Sequence, residues 1–145
     1  MDVFIIGATG YIGGSLASRL IADGHHVVGL VRYDDKAARL SALGVEPLKG
    51  DLAALEIAAA AARRADVIVN AANADDSLIT HALLDALAGT EKIYIHTSGT
   101  SVVADRAAGE YSAAVFTEDT PFEPLPECLP RVAMIGKSSW RLNAE

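Results

Sequence analysis

The sequence contains a single cysteine and no long apolar run. Cys128 has no second cysteine with which to form an intramolecular disulfide, so a reducing compartment fits and we expect a cytoplasmic protein. No apolar run reaches the length of a membrane span, and the first predicted strand lacks the basic segment of a signal peptide. These features argue against a secreted, disulfide-rich or membrane-spanning protein.

Positive charge and aromatic residues are also scarce. The chain has 12 Lys and Arg against 19 Asp and Glu, a net charge of −7 at pH 7, and 6% aromatic residues. An acidic surface repels DNA and anionic membranes, and no basic patch with interleaved aromatics occurs, so we expect neither nucleic acid nor membrane as a partner. Cysteine and histidine do not follow metal-ligand spacing, so we expect no metal site.

Apolar residues are plentiful and follow a regular alternation. They form 51% of 145 residues, enough for the core of a single domain over residues 1–145. Short β-branched runs alternate with Ala- and Leu-rich helical stretches, which predicts an α/β fold: a doubly wound parallel sheet of the Rossmann type, with helices on both faces. The predicted strands are Val3–Ile6, His26–Val31, Val45–Leu48, Asp66–Asn70 and Lys92–Thr97, and the predicted helices are Gly10–Ala22, Lys36–Leu43, Leu52–Arg64 and Asp76–Ala88. Asp34 or Asp35 is expected to cap the helix that begins at Lys36.

The C-terminal third has a different composition. Residues 117–130 hold four prolines and four acidic residues, which predicts a loop. Residues 131–144 return to apolar residues at helical spacing, which predicts a last helix.

Glycines recur at a fixed spacing directly after the first predicted strand. Gly7, Gly10 and Gly13 form G-x-x-G-x-x-G between a strand and a helix. In that context Gly7 permits a tight turn, Gly10 lets a pyrophosphate approach the backbone, and Gly13 lets the helix pack against the sheet. Free N–H groups and the helix dipole would hold the anion, so the motif predicts a dinucleotide site.

Five segments in the same order resemble a known superfamily. GATGYIGG, VVGLVR, KGDL, VIVNAAN and IYIHTSG are similar to the short-chain dehydrogenases/reductases, closest to the extended and atypical branches that include nucleotide-sugar epimerases and NmrA-like regulators. The resemblance covers about residues 1–105. It implies an NAD(P)-binding domain that serves hydride transfer to or from a carbonyl or alcohol carbon, or epimerisation through such a transfer.

The resemblance also assigns residues to the two phosphate-binding parts of a dinucleotide site. Arg32 ends the second strand where NAD-preferring members carry an acidic residue, which implies NADP(H), since a guanidinium pairs with a 2′-phosphate. Asp34 and Asp35 are near enough to reach a ribose, so NAD stays open. The residues that match the diphosphate loop are Gly7, Thr9, Gly10, Tyr11, Ile12 and Gly13.

Two further segments match the ends of the cofactor. Asp51 and Leu52 match the pair beside the adenine, and Asp51 is also expected to cap the third helix. Asn70, Ala71 and Ala72 match the small-residue segment against which the nicotinamide ribose lies.

The catalytic set of the superfamily is only partly present. By resemblance, Ser98 or Thr97 would orient the oxygen of the substrate. None of the four tyrosines is followed four residues later by lysine, so the proton-transferring Tyr-x-x-x-Lys pair is missing, and Lys137 and Arg141 stand at that spacing instead. This departure keeps open an alternative, a catalytically inactive NADP(H)-binding sensor or interaction protein like the NmrA-type regulators.

The length of the chain is a second departure. Superfamily members continue with another strand and a substrate-binding region, so a fragment and a natural short form are both open, and the small-molecule substrate is unidentified. A sheet that lacks its last strands exposes an edge, which a second copy would cover in a homo-oligomer.

Overall fold

The computed structural model describes residues 1–103, 110–117, 119–121 and 123–129. The chain divides into two compact units, Met1–Thr97 and Ser98–Glu145. None of the helices in the described ranges has the length and apolar character that a membrane span requires.

Strands and helices alternate throughout the first unit. Each strand is short and each helix runs for about three turns, as is usual for βαβ units. The strands are β1 (Asp2–Ile6), β2 (His26–Val31), β3 (Glu46–Lys49), β4 (Val67–Asn70) and β5 (Ile93–His96), and the helices are α1 (Tyr11–Ala22), α2 (Asp34–Ala42), α3 (Leu55–Arg64) and α4 (Ser77–Leu87).

The five strands form one parallel sheet in the order β3-β2-β1-β4-β5. Register is set by the neighbours of β1, which pairs Phe4 with Val28 of β2 and with Ile68 of β4. The order reverses between β1 and β4, so the connections on either side of β1 run to opposite faces. Ligands of doubly wound sheets bind at this switch point, at the carboxyl ends of the strands. The predicted α/β Rossmann-type fold is therefore confirmed.

Each face of the sheet buries a separate apolar cluster. Alternate residues of β1 point to opposite faces: Phe4 and Ile6 belong to one cluster, Val3 and Ile5 to the other. The first cluster packs against the alanines of α3 and the leucines of α4, and the second packs against Ala17 of α1 and other small or branched residues. At about 25 cal/mol per Å² of buried apolar area, these clusters are the main favourable term in folding.

Two predicted helix caps are wrong. The N-cap of α2 is Tyr33, with no side-chain cap, and Asp34 already lies within the helix. Helix α3 begins at Leu55 rather than at Leu52, and its N-cap is Ala54. Asp51 instead accepts a hydrogen bond from the Ala53 amide (3.0 Å), which closes a short turn before the helix. The Asp51 carboxylate thus bonds an amide in an Asx turn before the helix instead of capping the helix.

The second unit contains little regular structure in its described part. Thr100–Val103 and Pro126–Cys128 form 3₁₀ turns, and the Cys128 thiol donates to the carbonyl of Ser101. The described residues between 117 and 130 otherwise lie in irregular backbone, as their proline content predicts. The expected helix over residues 131–144, with Lys137 and Arg141, lies outside the described residues. The single-domain organisation over 1–145 stays a prediction.

Candidate functional site

The loop between β1 and α1 forms a tight turn. Gly7 has φ +89°, a conformation that only glycine adopts without strain, and its carbonyl accepts from the Gly10 amide at 2.9 Å. Gly10 is the extended N-cap of α1, and no side chain caps the helix. The first amides of a helix have no acceptor within it, so those that follow Gly10 are available to an anion.

Two of the three glycines are required by close backbone contacts. A Cβ built on Gly7 would lie 2.6 Å from the carbonyl oxygen of Ala71, and one on Gly13 would lie 2.3 Å from the carbonyl oxygen of Gly7. A Cβ on Gly10 would meet only the Gly7 oxygen, at 3.3 Å. Gly7 and Gly13 therefore let the β4 loop and α1 close on the turn, while the side of Gly10 stays open.

The loops that follow four neighbouring strands enclose a cavity of about 230 Å³ beside this turn. Gly7 follows β1, Arg32 follows β2, Gly50 follows β3 and Ala72 follows β4. The structure thus brings together residues far apart in the chain that were predicted for one site. The complete lining is Ile6, Gly7, Thr9, Leu30, Val31, Arg32, Tyr33, Lys36, Gly50, Leu52 and Ala72.

Tyr33 and Lys36 also line this cavity, beside Arg32. The Arg32 guanidinium lies 5.2 Å from the centroid of the Tyr33 ring, and the Lys36 ammonium lies 5.8 Å from it. Cations over an aromatic face are attracted to the ring. The sequence signal was present: Lys36 follows Arg32 by one helical turn, at the start of α2.

Asp51, predicted to lie beside the adenine, forms a long ion pair with Arg32. Its Oδ2 is 3.5 Å from Arg32 Nη1, and both side chains are more than half exposed. The Ala53 amide, and then the charge of Arg32, hold the pKa of Asp51 below its usual range. The carboxylate therefore stays ionised and accepts hydrogen bonds only.

The loop after β4 begins with a buried asparagine. Asn70 is 1% exposed; its Oδ1 accepts from the Ala72 amide (3.3 Å), and its Nδ2 donates to the Tyr94 hydroxyl (3.4 Å). The Ala71 amide donates to the carbonyl of Ile6 at 2.8 Å. The predicted nicotinamide-side segment is thus held directly against the end of β1.

Tyr94 and His96 of β5 continue this hydrogen-bonded group. The Tyr94 hydroxyl lies 3.1 Å from Nδ1 of His96, and Nε2 of His96 lies 3.2 Å from the carbonyl oxygen of Ala74. Burial raises the pKa of the Tyr94 phenol. Sequence spacing alone gave Tyr94 no role, because its partners Asn70 and His96 lie on β4 and β5.

The two predicted catalytic hydroxyls follow β5. Thr97 is the last residue of the first unit, and its amide donates to the carbonyl of Asn70 at 2.9 Å. Ser98 opens the second unit, and its Oγ is buried without a hydrogen-bond partner among the described residues. Buried hydroxyls without a partner are rare in folded proteins, so this one calls for a ligand or a water.

Tyr11 and Ile12, predicted for the diphosphate loop, open helix α1. Both residues are exposed, Tyr11 at 92% and Ile12 at 56%. The face of α1 that packs on the sheet is formed by Gly13 and Ala17, because only small residues fit at this distance from the β1 turn.

The chain belongs to the NmrA-like family, whose model matches residues 1–117. An uncharacterised protein of Saccharomyces cerevisiae is 36% identical over 124 residues, which are 76% of this chain and 42% of that protein. A 4-hydroxy-2-methyl-3-oxo-4-farnesyl-3,4-dihydroquinoline-1-oxide ketoreductase of Stigmatella aurantiaca is 31% identical over 118 residues, 72% of this chain and 35% of that protein.

Among solved structures, a putative epimerase of Burkholderia cenocepacia superposes with a TM-score of 0.70 at 26% identity, over 96% of this chain and 49% of that chain. This chain therefore spans about a third to a half of the length of the relatives that it matches. The predicted superfamily is confirmed.

Proposed function

We propose that this chain binds a nicotinamide dinucleotide, with NADP(H) preferred, and serves hydride transfer to or from a carbonyl or alcohol carbon of a small molecule. One observation carries the proposal: the uncapped N-terminus of α1 opens beside a cavity that Arg32, Lys36 and Tyr33 line. The backbone amides of α1 suit a pyrophosphate, and the cations of Arg32 and Lys36 suit a further phosphate.

The turn after β1 suits a pyrophosphate. Its open side is that of Gly10, and the amides that follow are not engaged by any side-chain cap. Backbone amides at a helix N-terminus bind phosphate oxygens without a specific side chain. Gly7 and Gly13 leave no room for a Cβ, so close backbone packing fixes the shape of the turn.

The two cations around Tyr33 support NADP(H) over NAD(H). Arg32 is 58% exposed, and its only ion pair among the described residues is the long contact to Asp51. A planar guanidinium that rests on an aromatic ring is oriented for a forked pair of hydrogen bonds to phosphate. Lys36 adds a second positive charge on the same ring. NAD(H) offers neither cation a phosphate at this position.

The opposite end of the site suits the nicotinamide half. Asn70, Ala71 and Ala72 would supply the backbone wall for the ribose, and a bound nicotinamide would supply the hydride acceptor or donor. Thr97 and Ser98 would orient the substrate oxygen through their hydroxyls.

The ketoreductase of Stigmatella aurantiaca supports an oxidoreductase role over a catalytically inactive sensor. The missing Tyr-x-x-x-Lys pair is the feature that favours a sensor. Oxidation of NADPH in the presence of a panel of small ketones separates the two: substrate-dependent loss of absorbance at the nicotinamide band requires an enzyme, and a sensor gives binding alone.

Calorimetric titration with NADPH and with NADH tests the proposed cofactor. We expect NADPH to bind more tightly, and Arg32→Ala to weaken NADPH about 10- to 100-fold with little effect on NADH, since a charged hydrogen bond contributes about 1.5–3 kcal/mol. Arg63→Ala is the matched control, because Arg63 is an exposed arginine of α3 that does not line the cavity. Failure of both cofactors to bind would contradict the proposal.

A further inference from the structure

We propose that Tyr94 and His96 are positioning residues that hold the loop after β4 in the conformation needed for the nicotinamide half of the dinucleotide. This inference rests on the proposed function. Neither motif spacing nor the resemblance gave Tyr94 or His96 a role at the site. If they hold the loop, their substitution should weaken binding of the nicotinamide half alone.

The hydrogen bonds have a defined direction along the group. The carbonyl of Ala74 can only accept, so Nε2 of neutral His96 carries the hydrogen and Nδ1 accepts from the Tyr94 hydroxyl. That hydroxyl in turn accepts from Nδ2 of Asn70. The remaining oxygen of Asn70 accepts from the Ala72 amide. Both ends of the group are therefore backbone atoms of the same loop.

Thr80 holds the far end of the loop, because its hydroxyl donates to the carbonyl of Asp76 at 2.9 Å. Thr80 is fully buried, as is Asn70. A buried hydrogen bond that loses one partner leaves the other unsatisfied, so the loop has one favourable arrangement rather than several.

The glycine turn supports the loop on its other side. The Ala71 carbonyl and the Ala72 amide lie so close to Gly7 that a Cβ there would be 2.6 Å and 2.9 Å from them. A shift of Ala72 would therefore change the wall between the glycine turn and β5. It would leave in place the loops after β2 and β3, which carry Arg32 and Gly50 on the adenosine side.

Neither Tyr94 nor His96 lines the cavity beside the glycine turn. Tyr94 instead packs against the apolar cluster beneath α3 and α4. The phenol and the imidazole therefore act through the loop backbone rather than by contact with the adenosine half of the ligand. Removal of the phenol oxygen, with the ring kept, isolates this effect.

The experiment compares two ligands on Tyr94→Phe. We expect the Kd for NADPH to rise about tenfold, because one unsatisfied buried donor is worth about 1–3 kcal/mol. The Kd for 2′,5′-ADP, which lacks the nicotinamide half, should stay within about twofold of the parent value. Tyr111→Phe is the matched control, since this tyrosine is 91% exposed and its hydroxyl supports no loop.

A second pair of variants tests His96 in the same titrations. His96→Gln keeps a donor for the Ala74 carbonyl and should retain more NADPH affinity than His96→Ala. Unchanged NADPH affinity in Tyr94→Phe would overturn the positioning role. Equal weakening of both ligands, with a lower urea midpoint, would reduce the role to general stability and overturn it too. If the parent chain binds neither ligand, the proposed cofactor site itself fails and this inference fails with it.

Discussion

The two ends of the sheet differ in the side-chain partners of their polar groups. At the amino ends, His26 of β2 contacts Asp2 of β1 through Nδ1 and Glu46 of β3 through Nε2, both at 3.0 Å. At the carboxyl ends, helix α1 has no side-chain cap and Arg32 makes only a 3.5 Å contact. Side chains satisfy one another across three strands at the first edge, whereas at the second edge the N-terminus of α1 has no side-chain partner.

This difference separates stability from binding. His26 connects three neighbouring strands at the amino edge, and α1 begins without a side-chain cap where the sheet order reverses. Substitutions at the amino edge should therefore change stability alone, and those at the carboxyl edge should change binding.

Gly13→Ala should have the largest effect, because it should disrupt the glycine turn at the carboxyl edge of the sheet. The new Cβ would lie 2.3 Å from the Gly7 carbonyl oxygen, so α1 or the turn must move. We expect a loss of about 1–3 kcal/mol in the free energy of unfolding, as for overpacked cores, and NADPH binding too weak to titrate. Urea denaturation and calorimetry measure the two effects.

The control for Gly13→Ala is Ser15→Ala, since Ser15 lies on the same helix with an exposed side chain that only bonds the Tyr11 carbonyl. It should leave both quantities nearly unchanged. Normal NADPH affinity in Gly13→Ala would show that the close contact of α1 with the turn does not shape the site.

His26→Gln should weaken the contacts with Asp2 and Glu46 at the amino edge of the sheet and leave the carboxyl edge unchanged. Hydrogen bonds to Glu46 and Asp2 raise the pKa of His26, because both ring nitrogens can donate to carboxylates only in the protonated ring. Its folded pKa lies above the unfolded value of about 6.5. Its contribution is therefore full below that pH and is lost as the pH rises through the folded pKa.

We expect His26→Gln to destabilise the chain by about 1 kcal/mol or less at pH 5.5, since these pairs are exposed, and by less at pH 8.5. Urea midpoints at the two pH values provide the comparison, and NADPH affinity should not change. The neighbouring His25→Gln serves as control. A destabilisation that grows towards alkaline pH would contradict the assignment.

Lys36→Ala should have the smallest effect. It tests whether a second cation at the carboxyl edge contributes to selection of the 2′-phosphate. Its ammonium lies 5.8 Å from the Tyr33 centroid and is partly exposed, so a contact with a 2′-phosphate is worth at most about 1 kcal/mol. We expect the ratio of NADH to NADPH dissociation constants to fall about two- to fivefold. Lys49→Ala is the control, because Lys49 pairs with Asp34 outside the cavity. An unchanged ratio would leave Arg32 alone to select the phosphate.

Local patterns predicted most of the fold. The apolar runs after Asp2 and after Asp66 gave the two central strands to within a residue, because residues buried on both faces must be apolar throughout. Caps were predicted less well: Asp34, Asp35 and Asp51 are suitable cap residues by type. Tyr33 and Ala54 take the caps instead, because the turns after β2 and β3 decide where each helix begins.

The sequence by itself determined the order of strands and helices and the glycine turn, because these depend on residues close together in the chain. The spacing of Gly7, Gly10 and Gly13 was enough to predict a dinucleotide site at the switch point. Only the tertiary structure decided that Tyr94 meets Asn70, and that Tyr33 lies within reach of both Arg32 and Lys36. The reason is physical: the pairing register of β4 and β5 and the direction of each side chain, rather than residue type, set which polar groups lie within hydrogen-bonding distance.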